Sequence, residues 1–277
     1  MLFQDNNHEE ADTLLIYQAV LASQRNPPDA EMVFFATDTD VLVLVIANYD
    51  LMLKNMSIFM ASAVIRIEKL WTAIGTERAK ALPAFHAFTC ADSTGRFSGI
   101  GKETWLQVYM KAERDVISSL QMLSTEAEVT EAMLATLASF VCAAYSPKGI
   151  YIKTISELRW HLFCKHMAES DKLPPTLGAL RQHVLRVHIQ ARVWGQVSIA
   201  LQDPQLDSMQ NGYHKKSDDQ LKPTMTNALP APQAVIAKQT VLLPDVLAEH
   251  GTYPVPIFAS AAAVSYTHLT LPTNREV

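Results

Sequence analysis

Two of the most apolar runs in the chain, Val33–Phe35 and Val41–Ala47, are separated by the polar break Thr37-Asp38-Thr39-Asp40. The residues on both sides are apolar in continuous rather than alternating fashion. That pattern predicts buried strand, of the kind found in a parallel sheet covered on both faces. Upstream, HEEADTLLIYQAVLASQ places Ala11, Leu14, Leu15, Gln18 and Ala22 at helical spacing, with acids in the first turn where the helix dipole favours them. RNPPDAE breaks this helix before a strand over Glu31 to Thr37. Helix, break and strand together make half of a βαβ unit.

Further along, SIFMASAVIRIEKLWTAIG predicts a short strand and then a helix beginning near Ile65. TERAKALPAFHAFTCAD reads as helical on both sides of Pro83, and STGRFSGIGKETWLQVYMKA as a glycine-containing turn leading into a helix. Helices alone are predicted from Thr125 to about Gln202. The Pro-, Gln-, Asp- and Ser-rich stretch from Asp203 to Ala263 predicts extended or disordered chain. No internal repeat is visible.

Composition narrows the class. With 277 residues, 49% of them hydrophobic, the chain can bury one or two cores. A net charge of −5 gives no global basic field, so any contact with nucleic acid has to come from a local patch. The three cysteines, Cys90, Cys142 and Cys164, are scattered and odd in number. That pattern argues against a disulfide framework and fits a reducing compartment, nuclear or cytoplasmic. No apolar run reaches bilayer length and no signal peptide is visible, so neither membrane insertion nor secretion is expected.

The last residues, VSYTHLTLPTNREV (264–277), share no patterning with what precedes them. Val264 to Thr273 back-translate into the mosaic-end adapter of transposase-based sequencing libraries. The segment is read as adapter-derived, with the natural chain expected to continue beyond about Ala263.

The candidate chemistry lies in the carboxylates. Glu10 and Asp12 stand at a helix start, Asp38 and Asp40 at a strand end, and Asp92 after another helix. Such groups are costly to bury unless paired, and hard divalent cations such as Mg²⁺ or Mn²⁺ prefer all-oxygen ligation of this kind. The plainer alternative for Asp38-Thr39-Asp40 is a simple turn. Glu9 reads as a solvated acid at the helix start, and His8 and His86 as polar or satisfied packing residues. Arg181, Arg186, Arg192, His183 and His188 form a modest basic face, read as a solvated amphipathic helix rather than a nucleic-acid contact. Trp160 and Trp194 are expected as core anchors.

HEEAD, FFATDTDVLVL and LPAFHAFTCADSTGRFSGIGK together resemble the PIN-like, flap-endonuclease-like nuclease superfamily. There, an E-x-[ED] pair opens a helix, a D-x-D pair follows a strand, and a later Asp precedes a glycine hairpin. HAFT, DST and LPPTLGALRQHVLRVHIQARVW resemble more closely a group of cnidarian and other invertebrate proteins with a PIN-like block, then helices, then a Cys-rich tail. The resemblance spans about Glu9 to Pro232. It implies that Glu10, Asp12, Asp38, Asp40 and Asp92 hold a two-ion Mg²⁺ or Mn²⁺ site, and that Gly99, Ile100, Gly101 and Lys102 hold a nucleic-acid phosphate, with DNA favoured over RNA. Thr89-Cys90-Ala91-Asp92 departs from the Thr-Gly-Cys-Asp usual in those proteins. A first strand with its own Asp is also expected upstream of the first helix.

The expected architecture is therefore α/β. Residues 1–122 form an incomplete PIN-like parallel sheet with flanking helices, 123–202 an all-α region, and 203–263 a largely extended tail. The expected function is metal-dependent hydrolysis of phosphodiesters, weak or absent in this chain. The competing expectation is a catalytically silent interaction or scaffold protein that keeps the fold.

Overall fold

The computed structural model describes residues 5–166, 172–204, 206–216, 220–226 and 269–270. Within them the chain is mixed α/β, with a small sheet at one end of a helical body. Helix α1 (Ala11–Arg25) leads into β1 (Glu31–Phe35), and α2 (Thr39–Ala47) follows at once. A single 3₁₀ turn (Tyr49–Leu51) then precedes the hairpin of β2 (Asn55–Met60) and β3 (Ala63–Arg66). Strand β1 runs parallel to β2, and β3 is antiparallel to β2, giving the order β1-β2-β3. The sheet is therefore mixed rather than parallel throughout.

Three expectations change here. The run after Asp40 is helix, not strand: its β-branched Val41, Val43, Val45 and Ile46 mimic strand composition, yet all are buried within α2. A helix apolar on every side belongs in a core, and the Asp38 side chain starts it by accepting the N–H of Asp40. Secondly, β1 is an edge strand covered on one face only. Phe34 is buried while Val33 and Phe35 are exposed. Finally, α1 buries Thr13, Ile16, Tyr17, Ala19 and Val20, a different face from the one its apolar spacing suggested.

The hairpin between β2 and β3 turns through Ala61 and Ser62, which have φ of 48° and 66°. Positive φ at both central residues is the turn geometry that matches strand twist, usually supplied by Asn-Gly. Neither residue announces it in the sequence. After α3 (Ile67–Ile74), Gly75 at φ 83° reverses the chain into α4 (Thr76–Cys90), which accommodates Pro83 within its length.

Helix α4 is the central post. Ala79, Ala81, Ala84 and Ala87 are fully buried in it, and small side chains let α2, α6 and α9 approach closely. A two-residue strand β4 (Arg96–Phe97) and the Gly99 turn lead to α5 (Lys102–Met110) and α6 (Arg114–Thr125). Then come α7 (Glu131–Tyr145), α8 (Ile155–His166) and α9 (Leu177–Gly195). One hydrophobic cluster runs from Ile16 to Val197 through both the sheet end and the helical region.

Helix α9 is not a solvated amphipathic helix. His183, Arg186 and His188 are buried. Each donates to or meets backbone carbonyls: His183 Nε2 on Phe88, Arg186 Nη1 on Gly212 and Thr224, His188 on Leu123 and Ala127, while His183 Nδ1 and Arg186 Nε are buried without a partner among the described residues. Burying polar groups without such partners would be costly. Among the expected anchors Trp194 is buried, but Trp160 is 54% exposed. The stretch after Asp203 is not wholly extended either. Strands β5 (Tyr213–Lys215) and β6 (Leu221–Pro223) form a hairpin held on α9 by Arg186. Leu269–Thr270 (β7) pairs with Arg96–Phe97. Expectations for residues 227–263, and for the rest of 264–277, lie outside the described residues.

His183 makes the fold sensitive to pH. Burial pushes its imidazole down to about 4 from an ordinary 6.5, and the neighbouring Arg186 pushes the same way. The unfolded chain takes up a proton below about 6.5 while the folded chain refuses it until about 4. Stability is thus full above that window and falls with pH inside it, by no more than about 1.4 kcal/mol per pH unit. Denaturant unfolding between pH 7 and 4 should show this slope, and His183→Gln should flatten it. An unchanged slope in the variant would remove His183 from the account.

Candidate metal centre

Two helix starts meet at the carboxyl end of β1. Glu10 is the N-cap residue of α1 and Asp12 lies in its first turn. Asp38 is the N-cap residue of α2, and Asp40 lies in its first turn. The partial positive charge of a helix N-terminus favours carboxylates, so each helix start stabilises the acids gathered around it. One carboxylate oxygen from each of Asp12, Asp38 and Asp40 lies within 4.8 Å of the other two. Among the described residues this is the one group of three or more His, Cys, Asp or Glu side chains placed to share an ion.

The remaining residues of the site hold these acids in place. His86, on α4, places Nε2 2.7 Å from Asp40 Oδ1, and both side chains are largely buried. The His86 ring stacks near that of Trp194, with centroids 6.0 Å apart. Trp194 Nε1 in turn donates to Glu10 Oε2 at 2.9 Å, and Gln190 Nε2 to Glu10 Oε1 at 2.9 Å. Both Glu10 oxygens are therefore engaged by α9, and its carboxylate is turned to a structural task. Asp38 Oδ1 accepts the N–H of Asp40 at 2.9 Å, which leaves its second oxygen for the cluster.

Asp12 carries the electrostatic cost. Desolvation raises its pKa above the usual carboxylate value, and the charges of Asp38, Asp40 and Glu10 add to that rise. Like charges crowded together at partly buried positions make the ionised form unfavourable unless a cation joins them. Donor chemistry and spacing both suit a hard divalent ion. Oxygens bound at about 2.0–2.1 Å to one Mg²⁺ sit no more than about 4.2 Å apart, so a small closure of the side chains meets that limit. Asp12, Asp38 and Asp40 could together hold a metal ion.

The sequence-predicted residues divide accordingly. Asp12, Asp38 and Asp40 are brought together, with Glu10 beside them and bound to α9. Asp92 is exposed in the turn after α4 and is not one of the three converging acids. The Gly99 turn has φ 74°, and Gly101 serves as N-cap residue of α5, with Lys102 exposed as its first residue. Glu9 is exposed, as expected. His86, Gln190 and Trp194 were missed as parts of the site. Gln190 and Trp194 sit four apart on α9, which places them on one face, but nothing in the sequence says which acid they meet.

No family model, curated protein or solved structure matches the chain. Among the described residues, no helix is long and apolar enough to cross a membrane.

The raised Asp12 pKa gives a signed prediction. A carboxyl whose folded pKa exceeds its unfolded value favours the fold at low pH, and that contribution is lost as pH rises through the folded pKa. At neutral pH without divalent ions, Asp12→Asn should therefore unfold at a higher temperature than the parent. Saturating Mg²⁺ should raise the parent's transition and leave the variant's where it was. A variant less stable than the parent under both conditions would mean that Asp12 serves packing rather than charge.

Proposed function

We propose that the chain carries the acid cluster of a metal-dependent, PIN-like nuclease that hydrolyses phosphodiesters of nucleic acid, DNA in preference to RNA. The observation that carries this reading is the meeting of Asp12, Asp38 and Asp40 from two helix starts at the carboxyl end of a parallel strand. Open α/β sheets bind their ligands at that end. Asp12, Asp38 and Asp40 would hold the ion, Mg²⁺ or Mn²⁺. His86 fixes Asp40, and Glu10 ties the start of α1 to α9, so that the three acids keep their mutual placement.

A divalent ion held by these acids would supply activation of water and stabilisation of the leaving oxygen. The resemblance would give Glu10 and Asp92 to a second ion, which requires Glu10 to release Gln190 and Trp194 and Asp92 to approach the three acids. The turn Gly99-Ile100-Gly101-Lys102, exposed except at the half-buried Ile100, would take a backbone phosphate. Its glycines let the main chain approach closely, and the N-terminus of α5 with the Lys102 ammonium favours an anion.

The alternative, a catalytically silent scaffold, finds support in Glu10, whose two oxygens are already spoken for, and in Asp92, which stands apart from the converging acids. The two readings part at the metal. Under the nuclease reading, Mn²⁺ binds saturably with an affinity no tighter than millimolar, and cleavage of labelled single-stranded or flapped DNA is slow and metal-dependent. Asp38→Asn with Asp40→Asn should abolish both, since Asn keeps the helix cap but removes charge. Failure of the parent to bind Mn²⁺, or equal binding by the double variant, would leave the scaffold reading standing.

A further inference from the structure

Among the described residues, the outer face of the sheet is uncovered around Phe35, while Ser57, opposite Val33 on β2, is buried. Phe35, Phe59 and Val64 lie side by side across β1, β2 and β3, and are 77%, 40% and 63% exposed. The Phe35 and Phe59 rings touch, with centroids 5.8 Å apart. Val33, two residues before Phe35, is exposed on the same face. Strand β1 also forms the end of the sheet. Ala36 N–H donates to the Phe59 carbonyl, so the even-numbered residues of this segment turn their backbone groups toward β2. By alternation, Val33 and Phe35 turn their N–H and C=O outward to an edge that no described strand pairs with. Such an edge is normally blunted by proline, lysine or a bulge. The segment Glu31–Thr37 has neither proline nor lysine.

We propose that this edge pairs with the same edge of a second copy of the chain, strand against strand in antiparallel fashion, about a twofold axis at Phe34. The occupant follows from the order of residues in Glu31-Met32-Val33-Phe34-Phe35-Ala36-Thr37, which is palindromic in polarity. Centred on Phe34, Val33 faces the second copy's Phe35, Met32 faces its Ala36, and Glu31 faces its Thr37. Apolar thus meets apolar and polar meets polar on both faces. Moving the axis to Val33 sets the Glu31 carboxylate against the Phe35 ring. Moving it to Phe35 sets Thr37 against Val33 and runs the strand into α2. Residues with outward backbone groups fall opposite each other in the Phe34 register, so Val33 and Phe35 exchange both bonds of a hydrogen-bonded pair. A twofold contact of this kind closes on itself and ends at a dimer. The inference is independent of the metal site.

Sedimentation velocity over a range of concentrations tests the proposal. A reversible dimer in the micromolar range is expected, as befits a short single-strand contact. Val33→Pro removes an outward N–H without touching the β1–β2 bonds and should weaken association at least about tenfold, roughly 1.4 kcal/mol. Phe35→Lys should do the same through the side chain. Both positions are exposed, and circular dichroism would check that the fold is intact. Register is read separately, in a Cys164→Ser background. Val33→Cys and Phe35→Cys chains mixed together should form a mixed disulfide, because opposed residues of such a pair have Cα atoms about 5.5 Å apart. Neither variant alone should link. A monomer at every concentration, open-ended oligomers, a dimer indifferent to Val33→Pro, or Val33→Cys linking to itself would each overturn the proposal.

Discussion

The carboxylate of Glu10, held by Gln190 and Trp194, is the tie on which the acidic end of the molecule depends. It does not act alone. Asn7 and His8 bond to the chain at Ile199, Ala200 and Gln202, so the approach to α1 is clasped along its length by the exit from α9. These contacts join segments separated by some 180 residues in sequence. A helix start is otherwise prone to fray, because its first N–H groups lack partners within the helix. Anchored here, α1 presents Asp12 at a fixed height beside β1. The helical region therefore builds the site as much as the sheet does, and the single core running from Ile16 to Val197 supplies the rigidity.

Charge sets the second constraint. Asp12, Asp38 and Asp40 repel one another, and the fold tolerates them through two helix dipoles, the Asp38 cap on α2 and the imidazole of His86. Burial of the Asp12 carboxyl raises its pKa first, and the charges of Asp38, Asp40 and Glu10 raise it further. A protein that needed only a turn between β1 and α2 would have had no use for the third acid from α1. Its presence, together with a buried His fixing one of the three, is what distinguishes this cluster from a solvated acidic loop.

Much of this was legible in the residues. Strand β1 announced itself by a β-branched and aromatic run, α1 by its break at Asn26-Pro27-Pro28, and the acid pair by standing between two apolar stretches. Asp12, Asp38 and Asp40, which the structure brings together, were all among the acids singled out from spacing and resemblance. Other features could not be read locally. Helix α2 has the composition of a strand, and only its burial on all sides and its Asp38 cap decide for helix. The charged positions of α9 looked solvated because sequence does not show the carbonyls of Phe88, Leu123 and Gly212 waiting for them. His86 passed as a packing residue because its partner lies 46 positions away. The hairpin turn at Ala61-Ser62 lacked the glycine that usually marks it. In each case tertiary partners overrode local preference.

The account stands or falls on whether the three acids act as one site, and the Asp12 carboxyl reports on that directly. Its titration can be followed by carbon-detected NMR with Asp12 assigned through Asp12→Asn, first without divalent ions and then with Mg²⁺. The account predicts a pKa above the ordinary Asp value in the absence of Mg²⁺, moving down as Mg²⁺ is added and saturating. An Asp12 that titrates at the ordinary value and does not respond to Mg²⁺ would contradict it.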